Sequence, residues 1–484
     1  MTTPFFPQFR PRLAACRRQA VQTVRRASLP ELERYLADIL PAHLLSQQDE
    51  GDHSRARVFT LALTLQCFLC QVLKPKTPCR EIVRLVQALF RLLGRGPVDD
   101  STSAYCQARR RLPRETLERC LAASAQTADR RVGKGGELQG RPVKVVDGSS
   151  TQLADTPANQ KAYPQPRTQK SGCGFPVLKF LVLYSLASGA VLAVVLASLY
   201  NHDLRLLRQL YDELRAGDIL LGDRAYGDYI TLASLPERGV DVVARIHQGR
   251  KVDFRKARRL GKNDGLFTWR KGLQQSNILD AKQWQDLPAQ ITVRVIRFTA
   301  TIRGRRCRRI TLVTTLLDPV RYSAAALIAL YARRWRLELC LRDLKTTMGM
   351  EQLRCQTPAM VEKELLAYLL AYNLVRCLMA EAVAAHQGEL ERVSFKGTVD
   401  ALRRYGAAMA QARSQKMRAA LWADLLLNLV RDQLPDRPHR QEPRAVKRRP
   451  KPYPLLTRPR HQYKEGLHRN RYWKNKPRNF KRLN

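Results

Sequence analysis

The segment Val143-Lys-Val-Val-Asp-Gly-Ser149 marks the point where the sequence changes from a helical to a strand-like pattern. An apolar strand here presents one carboxylate, Asp147, before a glycine-containing turn. The segment Ile219-Leu-Leu-Gly-Asp-Arg-Ala-Tyr226 has the same design and presents Asp223. An α/β sheet usually displays functional side chains at the carboxyl ends of its strands. Each Asp alone is a weak signal, because Asp is common in turns. Together they predict a polar site at one edge of a sheet.

The residues around these two segments predict a mixed sheet flanked by helices, which is an α/β fold. The predicted strands are Val143–Val146, Leu178–Leu186, Val191–Leu196, Ile219–Leu221 and Val240–Ile246, with a helix at Leu204–Arg215. The uncharged run Phe180–Tyr200 is long enough to cross a membrane. Its two halves are strand-like and its centre contains Ser185 and Gly189, so a buried β-hairpin fits better, and we expect no membrane partner.

Helices are predicted on both sides of this sheet. In the N-terminal part they cover Val58–Leu73, Arg80–Leu93 and Ser103–Leu112, with Ser103 as a plausible N-cap. The last of them carries Arg109, Arg110 and Arg111. This region is either a helical DNA-recognition module or a dimerisation bundle with a basic outer face. Its glycine-rich end, Gly133–Gly140, lacks the GxxxxGK[ST] pattern of a phosphate-binding loop.

Five regions follow from these patterns. Residues 1–131 are predicted to form a helical N-terminal domain, and residues 142–246 the first part of the α/β core. Residues 247–319 are predicted to form a β-rich insert, with β-like runs at Ile291–Phe298 and Ile310–Leu316. Residues 320–434 contain a long helix from near Ser323 and further helices, and residues 435–484 form a basic tail.

The charge balance indicates a polyanionic partner. The chain has 86 Lys and Arg against 42 Asp and Glu, a net charge of +44. Such a surface gains affinity for nucleic acid by releasing counterions; the alternative is a basic surface that only confers solubility. The tail from Arg437 holds 17 Lys or Arg and two Glu, interleaved with prolines and with aromatic residues that offer stacking faces. It predicts an extended segment that binds nucleic acid, or a passive basic tail.

The cysteines point to a reducing compartment. Cys67 and Cys70, a close pair, lie inside an apolar helical run, and no second pair accompanies them as a zinc site requires. Buried, reduced cysteines predict a cytoplasmic protein.

A third candidate carboxylate lies in Tyr331-Ala-Arg-Arg-Trp-Arg-Leu-Glu-Leu-Cys-Leu-Arg-Asp-Leu-Lys345. On one straight helix, Tyr331, Arg334, Glu338 and Lys345 fall within roughly 60° of each other. This face would combine a metal-binding carboxylate with cations that grip phosphates. Asp343 points away from it. The alternative is a solvated surface helix, but a carboxylate and a lysine seven residues apart form no standard intrahelical pair.

The spacing of Tyr331, Arg334, Glu338 and Lys345 resembles the Y-R-E-K signature of DDE transposases of the insertion element four family. Asp147-Gly-Ser149 and Gly222–Tyr226 look like the first and second acidic motifs of that family. The resemblance covers roughly residues 55 to 380. It includes Ser103–Arg109, Leu344–Met350, Leu353–Cys355 and Ala371–Asn373.

The resemblance implies a ribonuclease H-like catalytic domain interrupted by the β-rich insert. It implies that Asp147, Asp223 and Glu338 are catalytic and bind two Mg²⁺ ions, with Mn²⁺ as a substitute. It also implies DNA contacts by Tyr331, Arg334 and Lys345, to which we add Arg342 from the same helix. Further predicted DNA contacts are Arg109 and Arg110 in the N-terminal region, and Trp269 and Trp284 in the insert, for which core packing is the alternative role.

We therefore expect a transposase that binds the terminal inverted repeats of an insertion sequence, cleaves the DNA strands and transfers them to a new site. The partners expected from the family are double-stranded DNA and a second copy of the chain, in the cytoplasm and associated with the nucleoid. Two alternatives remain: a nuclease or resolvase on the same fold, and a DNA-binding protein descended from a transposase that is no longer catalytic.

Overall fold

A mixed sheet runs through the centre of the protein. The structure, a computed structural model, describes residues 39–46, 57–92, 94–133, 136–247, 249–300, 308–412, 414–435 and 456–462. Its strands are β1 (Glu137–Leu138), β2 (Arg141–Gln152), β3 (Val177–Ser185), β4 (Val191–Ser198), β5 (Ile219–Gly222), β6 (Asp241–Arg245), β7 (Arg258–Gly261), β8 (Asp264–Arg270), β9 (Gln290–Ala300) and β10 (Arg308–Thr314). The strand order is β4-β3-β2-β5-β6-β10-β9-β8-β7. The short strand β1 pairs with β2 and is not part of this order.

The two halves of the sheet differ in strand direction. β2, β3 and β4 form an antiparallel meander, and β5 and β6 continue from β2 as parallel strands. β10 then returns antiparallel to β6, followed by β9, β8 and β7. The predicted mixed α/β architecture is confirmed. The buried hairpin predicted in Phe180–Tyr200 is also confirmed, because β3 and β4 pair along this run.

Thirteen helices are described, and most of them cover the sheet or pack into a helical bundle. They are α1 (Leu61–Leu73), α2 (Cys79–Leu92), α3 (Ser103–Arg111), α4 (Arg114–Val132), α5 (Pro157–Ala162), α6 (Asp203–Arg208), α7 (Tyr229–Glu237), α8 (Ala281–Asp286), α9 (Ala324–Arg333), α10 (Trp335–Arg342), α11 (Pro358–His386), α12 (Phe395–Gln411) and α13 (Gln415–Arg431). A helix begins next to Ser323, as predicted, and Ser323 caps it, because its Oγ accepts a hydrogen bond from the Ala326 N–H at 3.2 Å.

Helix α11 forms the centre of the bundle and contacts α4, α13 and α1. Among the described residues it is the one helix long and apolar enough to cross a membrane, but 83% of its apolar stretch is buried inside the protein. Asn373 anchors it at the sheet. Its amide nitrogen donates to the Leu121 and Val191 carbonyls at 3.2 and 2.8 Å, and its Oδ1 accepts from the Val191 N–H at 2.8 Å. This fully buried amide therefore joins α4, α11 and β4.

Several sequence predictions of element boundaries are wrong. β2 does not end at Asp147 but continues to Gln152, because β3 pairs with it along this whole length. The predicted helix Leu204–Arg215 ends at Arg208 and is followed by a single 3₁₀ turn at Tyr211–Glu213. Ser103 is the first residue of α3 and not its cap, and its hydroxyl accepts from the Gln107 side chain.

The predicted insert does not form a separate sheet. Its strand β10 pairs with β6, so that Leu312 lies opposite Arg245, and β7–β9 extend the sheet further. The division into domains remains a prediction. Most of the predicted tail lies outside the described residues. Its described segment, 456–462, has one 3₁₀ turn at Arg460–Gln462 and places Pro459 against Gly172.

Candidate active site

Two of the predicted carboxylates meet because of strand register. β2 and β5 are parallel neighbours in which Val145 lies opposite Leu221. Asp147 and Asp223 each follow these paired residues by two positions. Asp147 lies within β2 and Asp223 directly follows β5, so this register brings the two residues to neighbouring positions. The negative charge of Asp223 accordingly contributes to the raised pKa of Asp147. The sequence motifs alone did not contain this alignment.

Arg334 connects the third carboxylate to the first. Its Nη2 lies 3.2 Å from Glu338 Oε1, and its Nη1 lies 4.0 Å from Asp147 Oδ2. Its guanidinium also lies 5.8 Å from the centre of the Tyr331 ring. A half-buried arginine between two carboxylates balances negative charge that would otherwise be repulsive. The structure therefore brings Tyr331, Arg334 and Glu338 to the edge where Asp147 lies, as the sequence predicted.

The pKa of Asp147 reflects both its burial and the charged groups near it. Burial raises the pKa of this carboxyl to about 6, opposed by Arg334 and by a hydrogen bond from the Gly148 N–H at 2.9 Å. The negative charges of Asp223 and Glu338 raise it further. Three carboxylates from three different elements therefore share one electrostatic environment.

Arg245 belongs to the same cluster, although the sequence analysis did not identify it. Gly222 pairs with Ala244, so Arg245 leaves β6 at the same level at which Asp223 leaves β5. Burial raises the pKa of Tyr331, while the positive charges of Arg334 and Arg245 oppose this shift and Asp223 adds to it. In the sequence, the available signal for this role was that Arg245 is a cation at the end of the strand that follows the acidic motif of Asp223.

Asp203 is a second residue that the sequence analysis missed. It opens α6 and forms an ion pair with Lys179, with Nζ and Oδ1 2.6 Å apart. A Cβ on Gly148, next to Asp147, would lie 3.7 Å from the same oxygen. Burial raises the pKa of Tyr226, and the negative charges of Asp203, Asp147 and Asp223 raise it further. Asp203 opens α6 five residues after the end of β4, and this position soon after a strand was its signal.

The segment that carries Tyr331, Arg334, Glu338 and Lys345 is not the one straight helix that was predicted. At Arg334 the helix has a 3₁₀-type hydrogen bond, in which the Leu337 N–H donates to the Arg334 carbonyl. Further along, residues Asp343–Thr347 form a π turn, which has more residues per turn than an α-helix. Lys345 is half-buried in this turn, where burial lowers its pKa and the charge of Glu351 opposes the shift. Arg342 is exposed and lies 3.6 Å from Asp343.

Arg109 lies within the N-terminal helices and not on an open surface. Its guanidinium lies about 5 Å from the ring centres of Phe68 and Tyr105, and its Nη1 donates to Gln71 at 3.3 Å. It therefore packs α1 against α3, and nothing in this position supports the predicted DNA contact. Arg110, next to it, is exposed.

The two tryptophans of the insert also have structural positions. Trp269 is 7% exposed and packs in the core, with Arg250 3.9 Å from its ring centre. Trp284 lies on α8, packed against the cluster that contains Leu279 and Leu287. Both tryptophans therefore lie where the core-packing alternative expects them.

The carboxylates suit a hard divalent cation by their chemistry. Mg²⁺ prefers carboxylate oxygens. The pKa of Asp147 is raised mainly by burial and further by Asp223 and Glu338, and a bound cation would offset both effects. In the part of the chain that the structure describes, no three Asp, Glu, His or Cys side chains are close enough to hold one ion as they stand. Arg334 occupies the space between Asp147 and Glu338, so side-chain rotation must accompany ion binding.

Comparisons with known proteins give the following similarities. Residues 138–374 match the family model described as a transposase DDE domain. The chain is 28% identical to the transposase InsG for insertion sequence element IS4 of Escherichia coli (strain K12), over 87% of this chain and 94% of that protein. It is also similar to the piggyBac transposase in a cryo-EM structure of its synaptic complex with hairpin DNA. That similarity has a TM-score of 0.41 and 8% identity, over 82% of this chain and 83% of the other.

Proposed function

Because the chain belongs to the DDE transposases of the IS4 type, we propose that it cuts DNA at the terminal inverted repeats of an insertion sequence and joins the freed ends to a new site. The observation that carries this proposal is the neighbouring position of Asp147 and Asp223 on paired strands, with Glu338 joined to Asp147 through Arg334. In this proposal the sheet around β2 and β5 is a ribonuclease H-like core.

Asp147, Asp223 and Glu338 hold two Mg²⁺ ions in this proposal, and Mn²⁺ is an acceptable substitute. When bound, these ions activate the attacking oxygen and stabilise the leaving oxygen of an in-line displacement at phosphorus. Asp147 is half ionised near pH 6, because of its raised pKa, and becomes fully charged only well above this pH. Mg²⁺ binding by these residues should therefore strengthen as the pH rises through this value.

The cations around the carboxylates orient the DNA. Arg334 and Arg245 lie at the same edge of the sheet and present guanidinium groups to phosphate oxygens. The Tyr331 hydroxyl is protonated at physiological pH, as an ordinary tyrosine is, and burial raises its pKa further. It can therefore donate a hydrogen bond without adding negative charge. Lys345 adds a phosphate contact from the π turn. In the absence of DNA, Arg334 pairs with Glu338 and Asp147, and a phosphate would compete for this arginine.

Double-stranded DNA, both the element's ends and its target, is the partner that the net charge of +44 supports. Two ends must be brought together, so we propose a homodimer in which each active site acts on one end. The protein would then act in the cytoplasm, associated with the nucleoid.

Cleavage by Glu338→Gln tests the proposal. The assay incubates linear DNA that contains the element and its flanks with Mg²⁺, and maps the cuts. We expect discrete cuts at the ends for the wild type, and loss of cutting with end binding retained for the variant. Glu237→Gln, an exposed carboxylate at the end of α7, is the matched control and should cut normally.

The products separate the proposal from its alternatives. Joined strand-transfer products support a transposase, whereas cutting of branched DNA without joining supports a nuclease or resolvase. Salt-sensitive DNA binding with no cutting by the wild type supports a non-catalytic DNA-binding protein. Normal cutting by Glu338→Gln removes Glu338 from the mechanism.

A further inference from the structure

A cavity of about 320 Å³ lies on the flank of α10 opposite Glu338. Its walls come from α10, the turn between β3 and β4, α11 and the start of α12. Val145 and Leu337, close in sequence to Asp147 and Glu338, line its inner side. The cavity therefore adjoins the carboxylate cluster, but none of Asp147, Asp223 and Glu338 lines it. Its volume is within the range of small-ligand sites.

The charged groups around this cavity are mainly positive. Four cations and two carboxylates line it: Arg336, Arg342, Arg376, Lys396, Asp343 and Glu391. Arg336 forms an ion pair with Glu391, which also lies 3.8 Å from Arg333 outside the lining. One carboxylate thus serves two arginines, and the positive charge is incompletely balanced. Burial lowers the pKa of Arg336 to about 10, and repulsion from Arg333 and Arg376 adds to the shift.

Two neutral polar features face the same space, and burial, together with the nearby Cys340 and Asp147, raises the pKa of the first of them, Tyr184. Tyr184 lines the cavity and is 1% exposed, and its hydroxyl has no hydrogen-bond partner within the described residues. A buried hydroxyl without a partner costs free energy, and a bound oxygen atom would remove this cost. The N-terminus of α12 also opens here after its cap Ser394, and helix N-termini favour anions.

We infer that this cavity is a binding site for a phosphate group, held by Arg336 and Lys396 with the Tyr184 hydroxyl as a further donor. Guanidinium and ammonium groups that converge with a hydroxyl and a helix N-terminus are the donors that bind phosphate oxygens. The group comes either from a DNA strand that passes beside the catalytic cluster or from a free phosphate compound. The first source rests on the proposed function, and the second does not.

The test measures binding of inorganic phosphate to the full chain without divalent metal. Sodium phosphate should raise the Tm of the wild type more than sodium chloride of equal ionic strength. In Arg336→Gln and Lys396→Gln the phosphate affinity should fall about tenfold or more. Lys396 is exposed and forms no ion pair within the described residues, so this second variant should fold normally. Arg392→Gln, an exposed arginine on the same segment but outside the cavity lining, is the matched control.

Tyr184→Phe separates ligand binding from a structural role. If the hydroxyl donates to phosphate, this variant should bind phosphate more weakly while the Tm without phosphate stays equal or rises. The inference is overturned if phosphate raises the Tm no more than chloride does. It is also overturned if Lys396→Gln and Tyr184→Phe bind phosphate like the wild type, or if Arg392→Gln loses as much affinity as Lys396→Gln.

Competition identifies the source of the phosphate group. If duplex DNA carrying the element's end displaces phosphate from the wild type, the group belongs to DNA. The slope of log affinity against log salt should then fall by about 0.9 in Lys396→Gln. If DNA binds without displacing phosphate, the site takes a free phosphate compound. Phosphate binding needs no metal and no cutting, so its failure and a failure of the cleavage assay are distinguishable.

Discussion

Replacing Asp147 by asparagine should make the metal-free protein more stable at neutral pH. Asparagine has nearly the same size and keeps the oxygen that accepts the Gly148 N–H at 2.9 Å. It removes a charge that burial, Asp223 and Glu338 all disfavour. The proposed function requires the Asp147 carboxylate, yet this carboxylate is expected to destabilise the fold. The asparagine variant should therefore lose cleavage activity while it gains stability.

The structure sets the size and the pH range of this effect. The pKa of Asp147 rises from 3.8 to about 6 on folding, and each pKa unit corresponds to about 1.4 kcal/mol, so the upper limit is about 3 kcal/mol. Its side chain is 22% exposed and the contact with Arg334 is lost, so we expect about 1 to 2 kcal/mol. The folded state binds more protons than the unfolded state between these pH values. Wild-type stability therefore falls as the pH rises from about 4 to about 6, and it recovers as the pH falls.

Urea unfolding in EDTA at pH 4.5 and pH 7.5 measures this difference. Asp147→Asn should exceed the wild type at pH 7.5, and the gap should shrink at pH 4.5, where Asp147 is largely protonated. Asp286→Asn, an exposed carboxylate on α8, should show no gap at either pH. A variant no more stable than the wild type at pH 7.5, or a gap independent of pH, would refute the electrostatic account of the site.

Three further substitutions test the parts of the fold that support the site. Asp264→Ala should cost about 3 to 5 kcal/mol, because it leaves Arg294, 1% exposed and paired with Asp264 at 2.6 Å, as an isolated buried charge; the urea midpoint measures this. Asn373→Ala should cost at least about 2 kcal/mol, since backbone groups on both sides of α11 lose their partner. Ser323→Ala should cost about 1 kcal/mol by removing the cap of α9, with hydrogen exchange faster in the first turn of that helix than elsewhere.

Two of these substitutions have a contrasting control variant. Replacing both Asp264 and Arg294 with apolar residues should recover much of the stability lost in Asp264→Ala, since no unpaired charge remains. A loss below 1 kcal/mol in Asp264→Ala or Asn373→Ala would mean that water or side-chain movement satisfies these groups. Ser323→Asp should retain the cap, so equal losses in the alanine and aspartate variants would contradict the capping role.

Much of the site was readable because its signals are local. The strand-like run before Asp147, the glycine turn at Asp223 and the capped helix after Ser323 are short patterns in which neighbouring residues determine the structure. The four residues from Tyr331 to Lys345 carry a spacing specific enough to indicate the family. The hairpin at β3 and β4 was separable from a membrane span because its composition is that of two strands joined by a turn.

Other features depend on distant parts of the chain and were missed or wrong. Arg245 and Asp203 join the site because β6 and β4 end beside it. β2 continues beyond Asp147 because β3, some 30 residues later, supplies its hydrogen-bond partners. Arg109 looked like a DNA-binding arginine in a basic run, but the rings of Phe68 and Tyr105 enclose it.

The sequence by itself determined which residue types are present, which short elements they form and which family signature they carry. The tertiary structure decided which of these residues meet. The parallel register of β2 and β5 brings Asp147 near Asp223, and the π turn after Arg342 interrupts the regular helix before Lys345. Strand register and helix irregularity arise from pairing and packing between segments far apart in the chain, so no local pattern encodes them.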